Sequence, residues 1–445
     1  MFLRKIHKLK LFSTAILLIP VFAYAQQTKT MELQDAINLA HLNSSQLKAD
    51  SIQSKIAETH IAQLKSAVMP QVSINSVFQR MTDNIVPFTI SLPNGSFQIN
   101  PQILNQSYNS LQLSQLLYSG GKIRNSSRSL NKELAATRSD FQRSVLSLEQ
   151  EVTDLWFNLY NVRESQKIII ENIKTLGERR NDLEKARIQG IVLENDVLKL
   201  DLQITELRSS LSDLNSSAAT LNYTLCIVTH TDPSTTIEIP QQFIKETIKL
   251  RSLEEYIEDA VVKRPELNSL RLRTESAAYR IKSAKADYLP TINLIGSFAY
   301  DNPTQRVIPN VAKFDYTGLA GINFSWKISS LYNNRSKVSE NRLAVLQLQN
   351  NSQQLKENIQ KEVNSLYMAC IKTTEKITLT QTELEQATEN FRVEGNKLNA
   401  QTTTPTDFLT ANTKLIQAKL NLATAKANAE LAYRKLIQST GTYSK

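Results

Sequence analysis

The chain contains little glycine, proline and cysteine. Of its 445 residues, 10 are Gly, 12 are Pro and 2 are Cys. So few turn-forming residues argue against an all-β protein. The two cysteines, Cys226 and Cys370, fall in helical stretches in different halves of the chain. An exported chain could pair them, but two buried thiols fit this placement better.

Residues that could build a catalytic centre are also scarce. Four His occur in the whole chain, and His41, His60 and His230 show no metal-ligand spacing. A phosphate-binding loop of the Gly-x-x-x-x-Gly-Lys kind is missing as well. The sequence therefore predicts a protein that is not an enzyme and that uses no metal or cofactor.

Long hydrophobic runs are missing from most of the sequence. Residues 1–25 combine basic residues, a short apolar run and an Ala-x-Ala site, which predicts a secretory signal peptide. An N-terminal membrane anchor is the alternative, although the apolar run is too short to span a bilayer. Beyond residue 25 no stretch reaches the roughly 18 uninterrupted apolar residues of a transmembrane helix. An exported chain without such a helix can still enter a membrane as strands.

Positive charge is in surplus but is not concentrated. The formal net charge is +10, and the basic residues Arg4, Lys5, Lys8 and Lys10 would leave with the signal peptide, so the mature chain carries +6. The remaining Lys and Arg residues form no clustered stripe. Nucleic acid is therefore not an expected partner.

The distribution of proline permits very long helices. No Pro lies between Pro101 and Pro233, or between Pro309 and Pro405, and a Pro inside a helix costs about 3 kcal/mol or more. Within these gaps apolar residues recur every three or four positions, as in a coiled coil. We predict helices at 31–69, 122–189, 194–228, 250–289, 332–400 and 405–439. Irregularities are expected near residues 43–45 and at Pro265.

The chain is internally duplicated. A helical pattern ends at Pro70 and an alternating strand follows, and the same arrangement recurs at Pro290, 220 residues later. Beyond the strands the offset falls to 211 and then holds, so that Arg124 matches Arg335. We therefore predict two structural repeats, 26–240 and 241–445. Each repeat has a helix, a strand pair (71–119 and 291–328), a long helix of about 100 Å and a shorter one.

The strand pairs alternate in polarity. From Tyr316 to Ile328, apolar and aromatic residues alternate with mostly polar ones. Loops rich in Pro, Asn and Gly join the strands of each pair. A soluble protein with a small sheet is one interpretation. If the strands span a membrane, four of them cannot close a barrel, so several chains must contribute, and three copies would give twelve strands.

A resemblance to a known family is carried by the duplicated strand pairs, by the turn Leu117-Tyr118-Ser119-Gly120-Gly121-Lys122 and by the helix starts at Asn195-Asp196 and Thr406-Asp407. The chain resembles the TolC-like outer membrane efflux protein family, also called outer membrane factors. The resemblance covers about residues 30–441. It implies an α+β membrane protein: a homotrimer with a twelve-stranded β-barrel in the outer membrane lipid of a Gram-negative cell, continued by a twelve-helix α-barrel through the periplasm. It also implies a passive exit duct of a tripartite efflux or type I secretion system. The partners would be a periplasmic adaptor protein and an inner-membrane transporter.

The same resemblance assigns site residues. Asp407 matches an acidic ring at the pore constriction, with Asp196 at the corresponding place in the first repeat. The family often has a second acidic residue three positions later, where this chain has Thr410, and a basic residue that can lock the closed tip, where it has Thr403. We therefore expect a weaker cation gate and a less firmly latched tip. From the residues alone, either Asp could instead cap its helix.

The remaining assignments concern turns. The two helix–helix turns would meet the adaptor through Gly190, Ile191, Gln401, Thr402 and Thr403, although any helical hairpin favours a residue such as Gly190 at its turn. Gln401 stands where the first turn has Gly190, which puts a conventional adaptor contact in doubt for the second turn.

Gly120 and Gly121 would let the chain turn from strand to helix. Ser330 and Leu331 stand at the corresponding corner of the second repeat, so that corner must differ.

A different class of function is also compatible with long amphipathic helices. The chain could be a surface-exposed or secreted coiled-coil protein with a structural or adhesive role. Such a protein needs no strand pair duplicated at matched places, and this favours the duct.

Overall fold

The computed structural model describes residues 28–84, 86, 88–99, 101–240, 249–304, 306–400 and 402–442. The predicted signal peptide and Gln401 lie outside the described residues.

The first half contains β1 (Thr28–Thr30), α1 (Leu33–Asn43), α2 (Ser45–Ser66), β2 (Gln71–Arg80), β3 (Thr89–Leu92), β4 (Gly95–Gln98), β5 (Asn105–Tyr118), α3 (Lys122–Ile188), α4 (Glu194–Thr229) and β6 (Thr236–Glu238). The second contains α5 (Leu253–Lys263), α6 (Pro265–Lys285), a 3₁₀ turn (Ala286–Tyr288), β7 (Thr291–Asn302), β8 (Asp315–Ser325), α7 (Ser330–Asn333), α8 (Arg335–Asn399) and α9 (Pro405–Ser439).

Three of the predicted helices are broken in the structure. The helix predicted at 31–69 is two helices, because Ser44 leaves helical geometry and its hydroxyl caps α2 by accepting from the Leu47 N–H at 3.2 Å. The helix predicted at 250–289 breaks at Arg264, since Pro265 lacks an N–H and takes the first position of α6. The helix predicted from 332 is preceded by α7, and α8 begins only after Asn334.

The long helices pair as hairpins. α3 packs against α4, α8 against α9, and α3 also against α2 and α6. α3 has 67 residues and α8 has 65, so each extends about 100 Å. Three apolar clusters form among these helices, one around Trp156, one around Phe408 and one around Tyr256.

The cluster around Trp156 joins the first described strand, β1, to the long helix α3. The indole N–H of Trp156 donates to the carbonyl of Met31 at 3.1 Å. β1 pairs in parallel with β6 next to this point, a sheet that the sequence did not predict. Nearby, the buried Glu149 of α3 faces His41 of α1, with Oε1 and Nε2 3.3 Å apart. Burial raises the pKa of Glu149 to about 7 and lowers the pKa of His41.

Four strands form one antiparallel sheet in the order β2-β5-β7-β8. β5 and β7 lie in the middle, and β2 and β8 form the edges. The loop predicted between β2 and β5 contains the small hairpin β3–β4, with Gly95 at φ +135° after its turn. The last strand was predicted to reach Ile328, but it ends at Ser325. The indole N–H of Trp326 then donates to the carbonyl of Tyr288 at 3.1 Å.

None of the helices in the described part of the chain combines the length and the hydropathy needed to cross a bilayer.

Candidate functional site

The turns of the two helical hairpins lie side by side at one end of the helices. Lys199 near the start of α4 donates through Nζ to Thr406 Oγ1 of α9 at 3.0 Å. Arg179 near the end of α3 donates to Asn399 Oδ1, the last residue of α8, at 3.0 Å. The structure therefore brings together the residues around 190 and around 403 that the sequence assigned to one tip.

The first turn is closed by backbone hydrogen bonds around Gly190. The N–H of Ile191 donates to the carbonyl of Ala186 at 2.9 Å, and the N–H of Gly190 to that of Arg187 at 2.9 Å. Gly190 has φ +72°, with open space where a Cβ would stand. Glycine is therefore favoured by the left-handed backbone rather than by crowding. Ile191 remains exposed, so its side chain is available to a partner.

The second turn is closed by side chains. Thr404 caps α9: its hydroxyl accepts from the Asp407 N–H at 3.3 Å, and the Asp407 carboxylate accepts from the Thr404 N–H at 3.4 Å. This reciprocal arrangement is a capping box. Thr402 donates its N–H to the Lys397 carbonyl at 2.9 Å, which satisfies the end of α8. Asp407 thus does cap its helix, the alternative that its sequence position left open.

An acidic cluster surrounds this cap. Thr403 donates to Glu394 at 2.9 Å and also lies 3.3 Å from Asp407, so its hydroxyl lies between two carboxylates. Lys397 pairs with Glu394 at 2.8 Å. Hydrogen bonds from Thr404, and then from Thr403, hold the pKa of Asp407 below its usual value. Lys397 and Thr403 do the same for the pKa of Glu394.

Both carboxylates are therefore ionised at neutral pH. Together with Thr410 they line a cavity of about 490 Å³ at the tip. Sequence reasoning missed Glu394 and Lys397. Their spacing of three on a helix was visible, but that spacing is common on any solvated helix face.

Asp196 and Thr410 occupy simpler surroundings. Asp196 does not cap α4, whose first flanking residue is Leu193, and it accepts instead from Lys199 at 3.4 Å. Because Lys199 also reaches Thr406, Asp196 and the Asp407 cap are linked across the two hairpins. Thr410 donates to the Thr406 carbonyl at 2.9 Å within its own helix. It supplies no charge, so the tip cavity is acidic through Asp407 and Glu394.

A buried aromatic residue anchors the tip. Phe408 is fully buried, and its ring centroid lies 5.1 Å from that of Phe391 on α8. The Arg179 guanidinium of α3 lies 5.8 Å from the same ring centroid. Gly395 faces the ring as well, and a Cβ there would stand 3.8 Å from it. Phe408 therefore joins α3, α8 and α9, a role that its place in the apolar repeat could not distinguish from ordinary packing.

The sheet has one apolar face and one mostly polar face. The register places Ile74 opposite Leu111 and Leu111 opposite Phe298 on one face, while Asn75, Ser110 and Ala299 face the other way. The large side chains on the apolar face are Val72, Ile74, Phe78, Leu111, Leu113, Ile292, Leu294, Phe298, Tyr300, Tyr316, Ile322 and Phe324. Ile74 is 77% exposed and Tyr316 70% exposed. No described element of the chain covers this face.

The corners between strands and long helices differ between the repeats. Gly120 and Gly121 have φ of +62° and +79°. A Cβ on Gly120 would stand 2.9 Å from the Ala286 carbonyl oxygen, so its corner needs glycine for space as well as for backbone geometry. In the second repeat Ser330 begins α7 instead. The buried Asn334 then ends that turn, its amide donating to the Ala284 carbonyl at 2.7 Å.

The chain's second half matches a known family by sequence. Residues 256–442 match the profile of the family described as "Outer membrane efflux protein". A comparison with curated proteins found no match.

The whole chain is similar to solved structures of outer membrane proteins. The outer membrane protein VceC of Vibrio cholerae superposes with a TM-score of 0.75 at 15% identity, covering 92% of this chain and 96% of that one. The MtrE outer membrane channel of Neisseria gonorrhoeae, in its open state, gives 0.71 at 16% identity, covering 92% and 88%. The CmeC outer membrane channel of Campylobacter jejuni gives 0.72 at 16% identity, covering 92% and 85%. At these identities the likeness establishes the fold.

The sequence match and the shared fold lead to the same assignment as the duplicated strand pairs and helix starts. The second half of the chain is thus similar by sequence to the outer membrane efflux protein family, and the chain has the fold of solved outer membrane channels.

Proposed function

We propose that three copies of this chain form an outer membrane channel, the exit duct of a tripartite efflux or type I secretion system. The observation that carries the proposal is the four-stranded sheet, with one apolar face exposed and both edge strands unpaired within the described chain. Such a face is stable against lipid and unstable against water. Hydrocarbon in turn does not tolerate open edges, because unpaired backbone groups there cost several kcal/mol each.

Self-association resolves both problems. β2 and β8 run in opposite directions across the sheet, so the β8 edge of one copy can pair with the β2 edge of the next as an antiparallel ladder. Three copies would close a barrel of twelve strands with the apolar face outside. Its polar face would then line a water-filled lumen, and the long hairpins would continue that lumen on one side of the membrane.

The tip would be the gate of this duct. In a trimer the acidic cavity around Asp407 and Glu394 would recur three times around the axis and focus negative potential on the opening. Thr403 takes the place of a basic latch, so the turn is held by hydrogen bonds of neutral hydroxyls. The exposed Ile191 of the first turn and Thr402 of the second would contact a periplasmic adaptor, which joins the duct to an inner-membrane transporter.

A pair of matched variants tests the membrane-spanning sheet. Ile74→Asp places a charge on the apolar face, and Asn75→Asp places the same charge one residue away on the polar face. A charged side chain facing lipid costs up to about 2–4 kcal/mol for Lys or Arg and less for a carboxylate, and in a trimer this cost would recur three times. Ile74→Asp should therefore abolish detergent-stable trimers and conductance in planar bilayers, while Asn75→Asp should retain both.

Two results would contradict the proposal. One is a wild-type chain that stays monomeric and water-soluble and passes no ions across a lipid bilayer. The other is equal behaviour of the two variants, which would show that the apolar face does not contact lipid. A soluble secreted form would instead support the structural or adhesive alternative.

A further inference from the structure

Two groups of cations flank the junction between the sheet and the long helices, and they differ in their partners. On one side Lys122 of α3 and Lys337 of α8 both pair with Asp287, at 2.8 and 2.7 Å. This group borders a cavity of about 390 Å³ that is also lined by Thr291 and Ser325. Those two residues are a register pair on the polar face of the sheet. Two of the cations on this side therefore share an acidic partner, and they lie toward the polar face.

The second group surrounds a larger cavity between α2, the end of β5 and the start of α3. Its volume is about 800 Å³, and Lys65, Arg124 and Arg128 contribute to its lining. Its apolar lining comes from the end of α2, the end of β5 and the start of α3, and includes Leu64, Val68, Leu117, Tyr118 and Ile123. Tyr118 pairs with Ile292, which lies on the apolar face of the sheet. The cavity therefore adjoins the face that would meet lipid.

The cations of this second group have a different charge environment. Within the part of the chain that the structure describes, Lys65, Arg124 and Arg128 make no ion pair with Asp or Glu. The Arg128 guanidinium lies 5.8 Å from the ring centroid of Tyr279, and all three side chains are exposed. Their charges are thus available to an external anion.

The position of Arg124 in the first turn of α3 is also unfavourable for the helix itself. α3 has no acidic residue in its first turn, and no side chain caps its N-terminus, where Gly121 stands. Basic residues at this end oppose the helix dipole. An anion bound beside Arg124 and Arg128 would offset both effects, because it would face two guanidinium groups and the positive end of the helix.

We propose that this cavity binds the head group of an anionic phospholipid in the membrane leaflet nearest the helices. The phosphate would contact Arg124, Arg128 and Lys65, and an acyl chain would lie along Leu64 and Tyr118 toward the apolar face. Free phosphate could use the cations but would leave the apolar lining exposed. This inference rests on the proposed membrane-spanning sheet.

The test uses the full chain purified in a neutral detergent, with lipid binding followed by native mass spectrometry. Dioleoyl phosphatidylglycerol is titrated against wild type and against the double variant Arg124→Gln/Arg128→Gln. Each basic residue near an anionic lipid contributes about fivefold in affinity. The double variant should therefore weaken the first phosphatidylglycerol binding step by about 25-fold. The matched control, Lys414→Gln/Lys419→Gln, removes two exposed charges from α9 and should bind like wild type.

Two further arms decide between sources and roles. Phosphatidylcholine should bind wild type weakly, and inorganic phosphate at matched ionic strength should not displace phosphatidylglycerol. The charge-retaining variant Arg124→Lys/Arg128→Lys should recover most of the binding, which separates charge from folding. Equal phosphatidylglycerol affinity in the Gln variant and wild type would overturn the proposal. So would displacement by phosphate, or a Lys variant as weak as the Gln variant.

Failure here is distinguishable from failure of the proposed channel. If wild type forms trimers and conducts in bilayers but does not prefer phosphatidylglycerol, only the lipid site is wrong. If it forms neither trimers nor pores, the channel itself is wrong.

Discussion

Replacing Phe408 by Ala should loosen the tip without unfolding the rest of the chain. Phe408 is fully buried between α3, α8 and α9, and its contacts include the Phe391 ring and the Arg179 guanidinium. A Phe to Ala change in a core costs about 3–5 kcal/mol. Because the tip lies far from the clusters around Trp156 and Tyr256, this loss should be local.

A loss of about 4 kcal/mol corresponds to a roughly thousandfold change in an opening equilibrium. Backbone amides in residues 176–200 and 391–412 should therefore lose protection in hydrogen exchange by up to about that factor, and single-channel conductance should rise. Leu379→Ala is the matched control, because Leu379 lies on the same α8 but is 69% exposed. If amide protection at the tip is the same in both variants, the anchoring role of Phe408 is wrong.

Three further outcomes are expected. Asp407→Ala should lower the cation-to-anion permeability ratio in planar bilayers by about twofold or more and should also destabilise the tip. Asp407→Asn should lower the ratio but keep the helix cap, because its amide oxygen can still accept a hydrogen bond. An unchanged ratio in both variants would remove Asp407 from the gate. Gly120→Ala should lower the yield of folded trimer much more than Gly121→Ala, because only the former crowds a carbonyl oxygen at 2.9 Å; equal yields would contradict this. Glu149 has a folded pKa of about 7, above its usual value of 4.5, so its contribution to stability declines as pH rises from about 4.5 to about 7. Glu149→Gln should therefore raise the free energy of unfolding at pH 8 by about 1–3 kcal/mol, seen as a higher thermal midpoint, and have little effect at pH 5. A variant less stable than wild type at pH 8 would contradict the burial argument.

Local signals predicted the long helices and the faces of the strands. The absence of proline between Pro101 and Pro233, together with the apolar repeat, predicted a helix over 122–189, and α3 spans Lys122–Ile188. Polarity alternates in the sheet as the sequence predicted, because side chains along a strand point to opposite faces. These features depend on neighbours within a few residues, which a single sequence displays directly.

The breaks at residues 43–45 and at Pro265 were predicted only as irregularities, and part of what holds them comes from distant contacts. Arg264, where the helix predicted at 250–289 is interrupted, donates to the Ser439 carbonyl at 2.7 Å and pairs with Glu362 at 2.7 Å. Pro265 made an irregularity there foreseeable, because the residue before a Pro is disfavoured in helical geometry, but both partners of Arg264 lie far along the chain and could not be predicted locally. The hairpin β3–β4 was missed for a different reason: its strands have four residues each, too short for a polarity pattern.

The candidate site was predicted in its outline but not in its chemistry. Asp407 and Thr403 were identified through resemblance, and their roles as gate and adaptor contact stay predictions. The hydroxyl of Thr403 between Asp407 and Glu394 could not be foreseen, because it requires the geometry of the turn. The division of the chain into repeats at residue 240 likewise stays a prediction.

The uncovered sheet face determines in what order the molecule can be built. A newly exported copy that folded completely in water would present a dozen large apolar side chains, among them Ile74 and Tyr316, to solvent and to other copies. Aggregation would compete with insertion at that moment. The helical hairpins, whose partners are adjacent in sequence, can form early, whereas in the proposed channel the sheet would be completed only when lipid and further copies cover it. If the sheet spans the membrane as proposed, biogenesis would have to keep residues 71–118 and 291–325 from water until the bilayer covers their apolar face.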